Sequence, residues 1–89
     1  MPTREVRIGS KVGLHARPAS LFVAAVAKTG LPVMIAKEGR HPVDARSILG
    51  VMTLGAKQND LVTLSAEGEG ADAALDSLVE LLARDLDAE

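Results

Sequence analysis

Pro18 constrains the fold of this chain more than any other residue. It stands at the head of Ala19-Ser20-Leu21-Phe22-Val23-Ala24-Ala25-Val26-Ala27-Lys28, a mostly apolar run of about three helical turns. Proline presets φ near the helical value and has no N–H, so a helix accepts it in the first turn and is broken by it later. A helix is therefore predicted from about Ala16 to Lys28, with Thr29-Gly30 ending it and Gly30 as a left-handed cap. Pro18, Phe22, Ala25 and Val26 recur at helical spacing, which gives that helix one side to pack on a sheet. Phe22 is the only aromatic residue, so the rest of the core has to come from Leu, Val, Ile, Ala and Met.

The flanking segments supply the sheet. Thr3 to Ile8 alternates, with Val6 and Ile8 on one side and Glu5 and Arg7 on the other, and reads as a first strand. Pro32 to Lys37 reads as a second, Glu38-Gly39 as a tight turn, and Arg40 to Val43 as a short third. Ser47 is a favoured N-cap for a short helix that Gly55 stops. Gly50 inside it costs about 1 kcal/mol relative to alanine, so that helix depends on tertiary contacts. Leu61 to Ala66 is the fourth strand. The last helix is predicted from Ala71 to Leu86, with Ala71, Ala74, Leu75, Leu78, Leu81, Leu82 and Leu86 in one stripe. Asp72, Asp76, Glu80 and Arg84 form its solvated face, and residues 87–89 a frayed tail. The order strand, helix, strand, strand, helix, strand, helix predicts an α+β domain: a four-stranded antiparallel sheet with three helices on one face (βαββαβα).

Several function classes are disfavoured. Eighty-nine residues make one domain, 1–89, that buries roughly 60–65% of its unfolded surface. One aromatic residue and a net charge of -2 argue against nucleic-acid binding. The absence of cysteine excludes disulfides and thiolate metal sites and suits the cytoplasm. No apolar signal core or membrane-length stretch is present. His41 has no cysteine or carboxylate at metal spacing and, beside Pro42 on a short edge strand, reads as structural or solvent-facing, so no metal and no cofactor is expected.

The chemistry concentrates before Pro18. His15 falls at the start of the first helix, where orphan N–H groups and the positive dipole end favour an anion. With Pro18 contributing no donor, the amides nearest His15 are those of Ala16, Arg17 and Ala19. Arg17 adds a permanent cation able to fork onto phosphate oxygens. An imidazole beside an anion cradle is the equipment of a phosphoryl-accepting histidine.

Gly13-Leu14-His15-Ala16-Arg17-Pro18-Ala19, followed by Ser47-Ile48-Leu49-Gly50-Val51-Met52-Thr53-Leu54-Gly55 and by Ser65-Ala66-Glu67-Gly68, resembles the histidine-containing phosphocarrier proteins (HPr) of the bacterial sugar phosphotransferase system. The resemblance implies an open-faced β-sandwich. It implies that enzyme I, phosphorylated from phosphoenolpyruvate, passes the phosphoryl group to Nδ1 of His15, and that the chain hands it to the A domains of sugar permeases as a stoichiometric carrier. It also implies regulation in some bacteria by a serine kinase acting on the residue matching Ser47. Two positions depart from the pattern. Val12 replaces a small polar residue able to hydrogen-bond near the histidine, leaving backbone, Ser10 or Lys11 to compensate. Ala24 replaces a lysine of some relatives, leaving Lys28 as the basic rim of the first helix.

In the second motif, Val51 and Leu54 facing inward would leave Ile48, Leu49 and Met52 outward, an apolar docking patch for enzyme I and permease domains. Arg17, Arg46 and Lys57 would form its basic rim. The chain is expected to act as a monomer. Alternatives are an HPr-like module that binds transcriptional regulators or kinases, a nitrogen-related phosphorelay paralogue, and a small acylphosphatase-like hydrolase. The hydrolase needs a water-orienting amide, for which only Gln58 and Asn59 are available.

Overall fold

In a computed structural model that describes residues 2–11 and 13–84, the alternating and helical segments condense in the expected order. The elements are β1 (Thr3–Arg7), α1 (Ala16–Thr29), β2 (Val33–Lys37), β3 (Val43–Asp44), α2 (Ile48–Thr53), β4 (Leu61–Ala66) and α3 (Ala71–Ala83). The four strands form one antiparallel sheet in the order β1-β4-β2-β3.

Register sorts the side chains. Val6 pairs with Val62, Ile35 with Leu64 and Val33 with Ala66, and all six are buried on one face. The intervening positions Thr3, Ser65 and Met34, then Glu5, Thr63 and Ala36, share the other face, which stays open to solvent. The helices close the first face. Phe22 and Val26 of α1, Val51 of α2, and Leu75, Leu78 and Leu82 of α3 meet the sheet in one aliphatic core around the single ring.

Three boundaries and one buried position stand out against the sequence reading. The third strand is Val43–Asp44 rather than Arg40–Val43. The Arg40 amide closes the turn onto the Lys37 carbonyl at 2.9 Å, and Pro42 has no N–H to offer a ladder, so pairing begins at Val43. In the first helix Ala19 is fully buried where Ala25 was expected, and Ala25 is half-buried. The first strand ends at Arg7; Ile8 turns its amide to Asp60 O (3.1 Å) and accepts from the Asn59 amide (2.8 Å). The last helix stops at Ala83 because Arg84 is extended (φ -82°, ψ 157°), while Leu86 and the 87–89 tail lie outside the described residues.

Asp72 and Asp76 do more than face solvent. Arg4, on edge strand β1, donates to both at 2.9 Å and clips the strand to α3. Asp76 first, then Asp72, raises the Arg4 pKa. No helix among the described residues is long and apolar enough to cross a membrane.

Candidate functional site

His15 is the N-cap of α1. Its backbone is extended (φ -94°, ψ -165°) and its side chain makes no capping bond, so the exposed imidazole is not consumed in holding the helix. Ala16 and Arg17 occupy the first two helical positions, whose amides have no carbonyl to bond within the helix. Ala19, expected as a third donor, instead bonds the His15 carbonyl at 2.8 Å, because Pro18 is buried as the third helical residue and the ladder begins at Ala19. The anion-facing backbone is thus reduced to Ala16 and Arg17.

What places His15 lies outside the motif. Gly13 adopts φ +74°, and a Cβ there would lie 2.3 Å from the Ala56 carbonyl oxygen and 2.8 Å from the Lys57 Cα. Leu14, buried, donates its amide to Ala56 O at 2.9 Å. The chain before His15 therefore lies directly on the backbone of the α2–β4 loop. The Gly13 amide also closes a turn onto Ser10 O at 3.0 Å, and Ser10 is buried. Val12, the departure from the family pattern, lies outside the described residues.

The α2–β4 loop is tied down in its turn. Asp60 Oδ2 accepts the Lys57 amide at 2.9 Å and lies 3.3 Å from Lys37 Nζ, which also donates to Gly55 O at 3.3 Å. The Lys57 amide first, and the Lys37 ammonium after it, hold the Asp60 carboxyl below the usual carboxylate range. A depressed pKa contributes stability above the unfolded value, near pH 4, and loses it as pH falls through the folded value. The urea midpoint of the wild type is therefore expected to exceed that of Asp60→Asn at pH 6, with the gap closing toward pH 3; a gap that widens on acidification contradicts this linkage.

Ser47 caps α2, its Oγ accepting the Gly50 amide at 3.1 Å. The preceding turn is built by Asp44, whose Oδ1 accepts the Arg46 amide at 2.8 Å and whose carbonyl accepts the Ser47 amide at 3.1 Å. Val51 and Leu54 point inward as expected. Ile48 and Leu49 are 44% and 76% exposed, but Met52 is half-buried against the core. The six-residue helix packs on α1 and leaves Ile48, Leu49 and Thr53 exposed.

Of the expected basic rim, Arg46 is exposed and lies against Asp44 (3.1 Å), whose carboxyl it holds low. Arg17 and Lys57 are exposed. Lys28 stands roughly 16 Å from Arg17 along the helix axis, at 1.5 Å per residue, and lines a groove of about 430 Å³ against the start of α3. One apolar residue escaped the sequence reading: Leu21 is 39% exposed and stands one turn beyond Arg17 on α1. Its spacing from Arg17 was the available signal, masked by the apolar run around it.

Among the described residues no group of three or more His, Asp or Glu could hold a metal. His41 is exposed. Gln58, a candidate for orienting water, donates to Gly9 O at 3.5 Å, and Asn59 serves backbone bonds in a left-handed turn (φ 72°).

Comparison with known proteins is consistent across three levels. Residues 2–84 match a family model described as the PTS HPr component phosphorylation site. The chain is 48% identical over 87 residues to the phosphocarrier protein HPr of Streptomyces coelicolor, covering 98% of this chain and 94% of the relative. It is 40% identical over 78 residues to the HPr-like protein Crh of Bacillus subtilis, covering 88% and 91%. The crystal structure of an HPr from Thermoanaerobacter tengcongensis superposes with a TM-score of 0.89 at 39% identity, covering 100% and 99%.

Proposed function

Because the chain belongs to the HPr phosphocarrier family, we propose that it takes a phosphoryl group onto His15 from phosphorylated enzyme I and passes it to the A domain of a sugar permease, working in the cytoplasm. The observation that carries this reading is an exposed imidazole at the N-cap of α1 whose side chain makes no capping hydrogen bond. The Nδ1 lone pair attacks phosphorus, the P–N bond forms, and the bond to the donor breaks. Arg17 and the first amides of α1 balance charge on the transferring oxygens. Transfer of this kind needs positioning and charge balance, so no additional base is required. The phosphoramidate remains reactive enough to be handed on, which a serine ester is not, and the chain acts once per phosphate rather than turning over.

Docking falls to Ile48 and Leu49, with Met52 supporting them from its half-buried position, and to Leu21 on the neighbouring helix. Arg17, Arg46 and Lys57, all exposed, steer acidic partner surfaces. Incubation with phosphoenolpyruvate and enzyme I is expected to give an acid-labile adduct of one phosphoryl group in the wild type and none in His15→Ala. An adduct that persists in His15→Ala overturns the assignment.

Ser47 is proposed as a regulatory phosphorylation site for a serine kinase. A dianion at a helix N-terminus suits the fold while placing roughly −2 charge one residue before Ile48 and Leu49. Ser47→Asp is expected to keep the wild-type melting behaviour and to slow transfer from enzyme I at least about tenfold, the equivalent of roughly 1.4 kcal/mol. An unchanged transfer rate removes Ser47 from the docking surface. The similarity to Crh supports a second reading, an HPr-like module that binds transcriptional regulators without carrying phosphate on histidine. The enzyme I experiment separates the two, since that module takes up no acid-labile phosphate.

A further inference from the structure

Resting on the phosphocarrier reading, we propose that Asp60 and Lys37 are positioning residues for His15, acting through the α2–β4 loop on which the histidine segment lies. The segment is bonded to that loop at both ends. At its start, Ile8 and Asn59–Asp60 exchange backbone hydrogen bonds at 3.1 and 2.8 Å. At its finish, Leu14 donates to Ala56 O at 2.9 Å, with Gly13 pressed against the same carbonyl. His15 follows directly on Leu14, so any shift of Ala56 is passed to the imidazole within one residue.

The loop has little helix or strand to hold its shape between Leu54 and Leu61. Arg7 Nη1 donates to Asn59 O at 3.0 Å and Gln58 to Gly9 O at 3.5 Å, while the stretch around Ala56 is braced by one carboxylate and one ammonium. Asp60 Oδ2 folds back on the Lys57 amide at 2.9 Å, while the Asp60 amide bonds Lys57 O at 3.0 Å, so the two residues lock the turn from both directions. Lys37, at the end of β2, then ties two points of the loop to the sheet at once, Asp60 at 3.3 Å and Gly55 O at 3.3 Å. Ala56 lies between those two anchors. The ion pair is partly shielded, with side chains 25% and 33% exposed, and its task is geometric: it sets where the Ala56 carbonyl sits.

Three variants divide the contacts, with a fourth as control. Asp60→Asn keeps an acceptor for the Lys57 amide and loses the ion pair; Asp60→Ala loses both. Lys37→Met releases Gly55 and Asp60 together while keeping the aliphatic stem. Arg4→Ala breaks the β1–α3 clip and does not touch the loop. In the enzyme I assay, kcat for phosphoryl transfer is expected to fall about tenfold in Asp60→Ala and Lys37→Met and less in Asp60→Asn, with a smaller change in KM because Ile48 and Leu49 lie outside the loop. Arg4→Ala is expected to retain wild-type kcat below its melting range. In parallel, amide exchange at Leu14 is expected to accelerate at least about tenfold in Asp60→Ala and not in Arg4→Ala. This second readout needs no phosphoryl donor, so it stands even where the wild type takes up no phosphate, an outcome that would fell the carrier assignment alone. Leu14 protection and kcat both unchanged in Asp60→Ala and Lys37→Met overturn the proposal, as does an equal loss in Arg4→Ala.

Discussion

Gly13→Ala is expected to cut phosphoryl transfer at His15 more than tenfold while leaving a folded protein. Two costs coincide at this residue. Its φ of +74° is a left-handed conformation that costs an L-residue about 1–2 kcal/mol. A Cβ would also meet the Ala56 carbonyl oxygen at 2.3 Å and the Lys57 Cα at 2.8 Å. Both obstacles are backbone atoms of a braced loop, so they cannot rotate aside as a side chain does. The chain at Gly13 has to lift, the Leu14 amide leaves Ala56 O, and the imidazole moves with it. A displacement of about 1 Å in a transfer site costs up to about a hundredfold in rate. Gly55 supplies the control. It has φ +63° and nothing within 4 Å of its notional Cβ, so Gly55→Ala carries the backbone cost without the collision. Gly13→Ala is expected to be destabilised by at least about 1 kcal/mol more than Gly55→Ala, and to be much slower in transfer. Equal behaviour of the two variants would show that the contact with Ala56 does not place His15.

The largest loss of stability is expected at Phe22. Its ring is fully buried among aliphatic side chains from both the sheet and the other helices, and removal to alanine costs about 3–5 kcal/mol. Domains have about 5–15 kcal/mol in total, so Phe22→Ala is expected to lower the urea midpoint by about a fifth or more. Leu21, its neighbour in sequence, is 39% exposed; Leu21→Ala is expected to cost less than about 1 kcal/mol and to weaken binding to enzyme I instead. Denaturation and a binding titration on the two variants should move opposite quantities. A Phe22→Ala loss below about 2 kcal/mol would mean the core has refilled the space.

Much of the fold could be read without coordinates because the relevant preferences are local. Pro18 admits a helix only in its first turn, Ser47 is a strong N-cap, and alternation in Leu61–Ala66 distinguishes a buried face from an open one. Those rules need a few neighbouring residues and no partner. They fail where a boundary is set from a distance. The third strand begins late because Arg40 closes a turn on Lys37, and the last helix ends early beside Gly9, whose amide takes the Leu82 carbonyl at 2.9 Å. Met52 faces outward by periodicity alone, yet the core reaches it.

The site divides along the same line. The identities of His15, Arg17 and Pro18 settle by themselves that an imidazole, a cation and a helix start occur together, because side-chain chemistry and proline's covalent ring do not depend on the rest of the chain. Where that imidazole sits is decided by Ala56, Lys57, Asp60 and Lys37, which carry no motif and lie far from His15 in sequence. Tertiary structure alone could reveal them, because a carbonyl at 2.9 Å from Leu14 and a glycine with no room for a Cβ are relations between distant segments. Such relations exist only once the sheet has brought the two loops to the same end of the molecule.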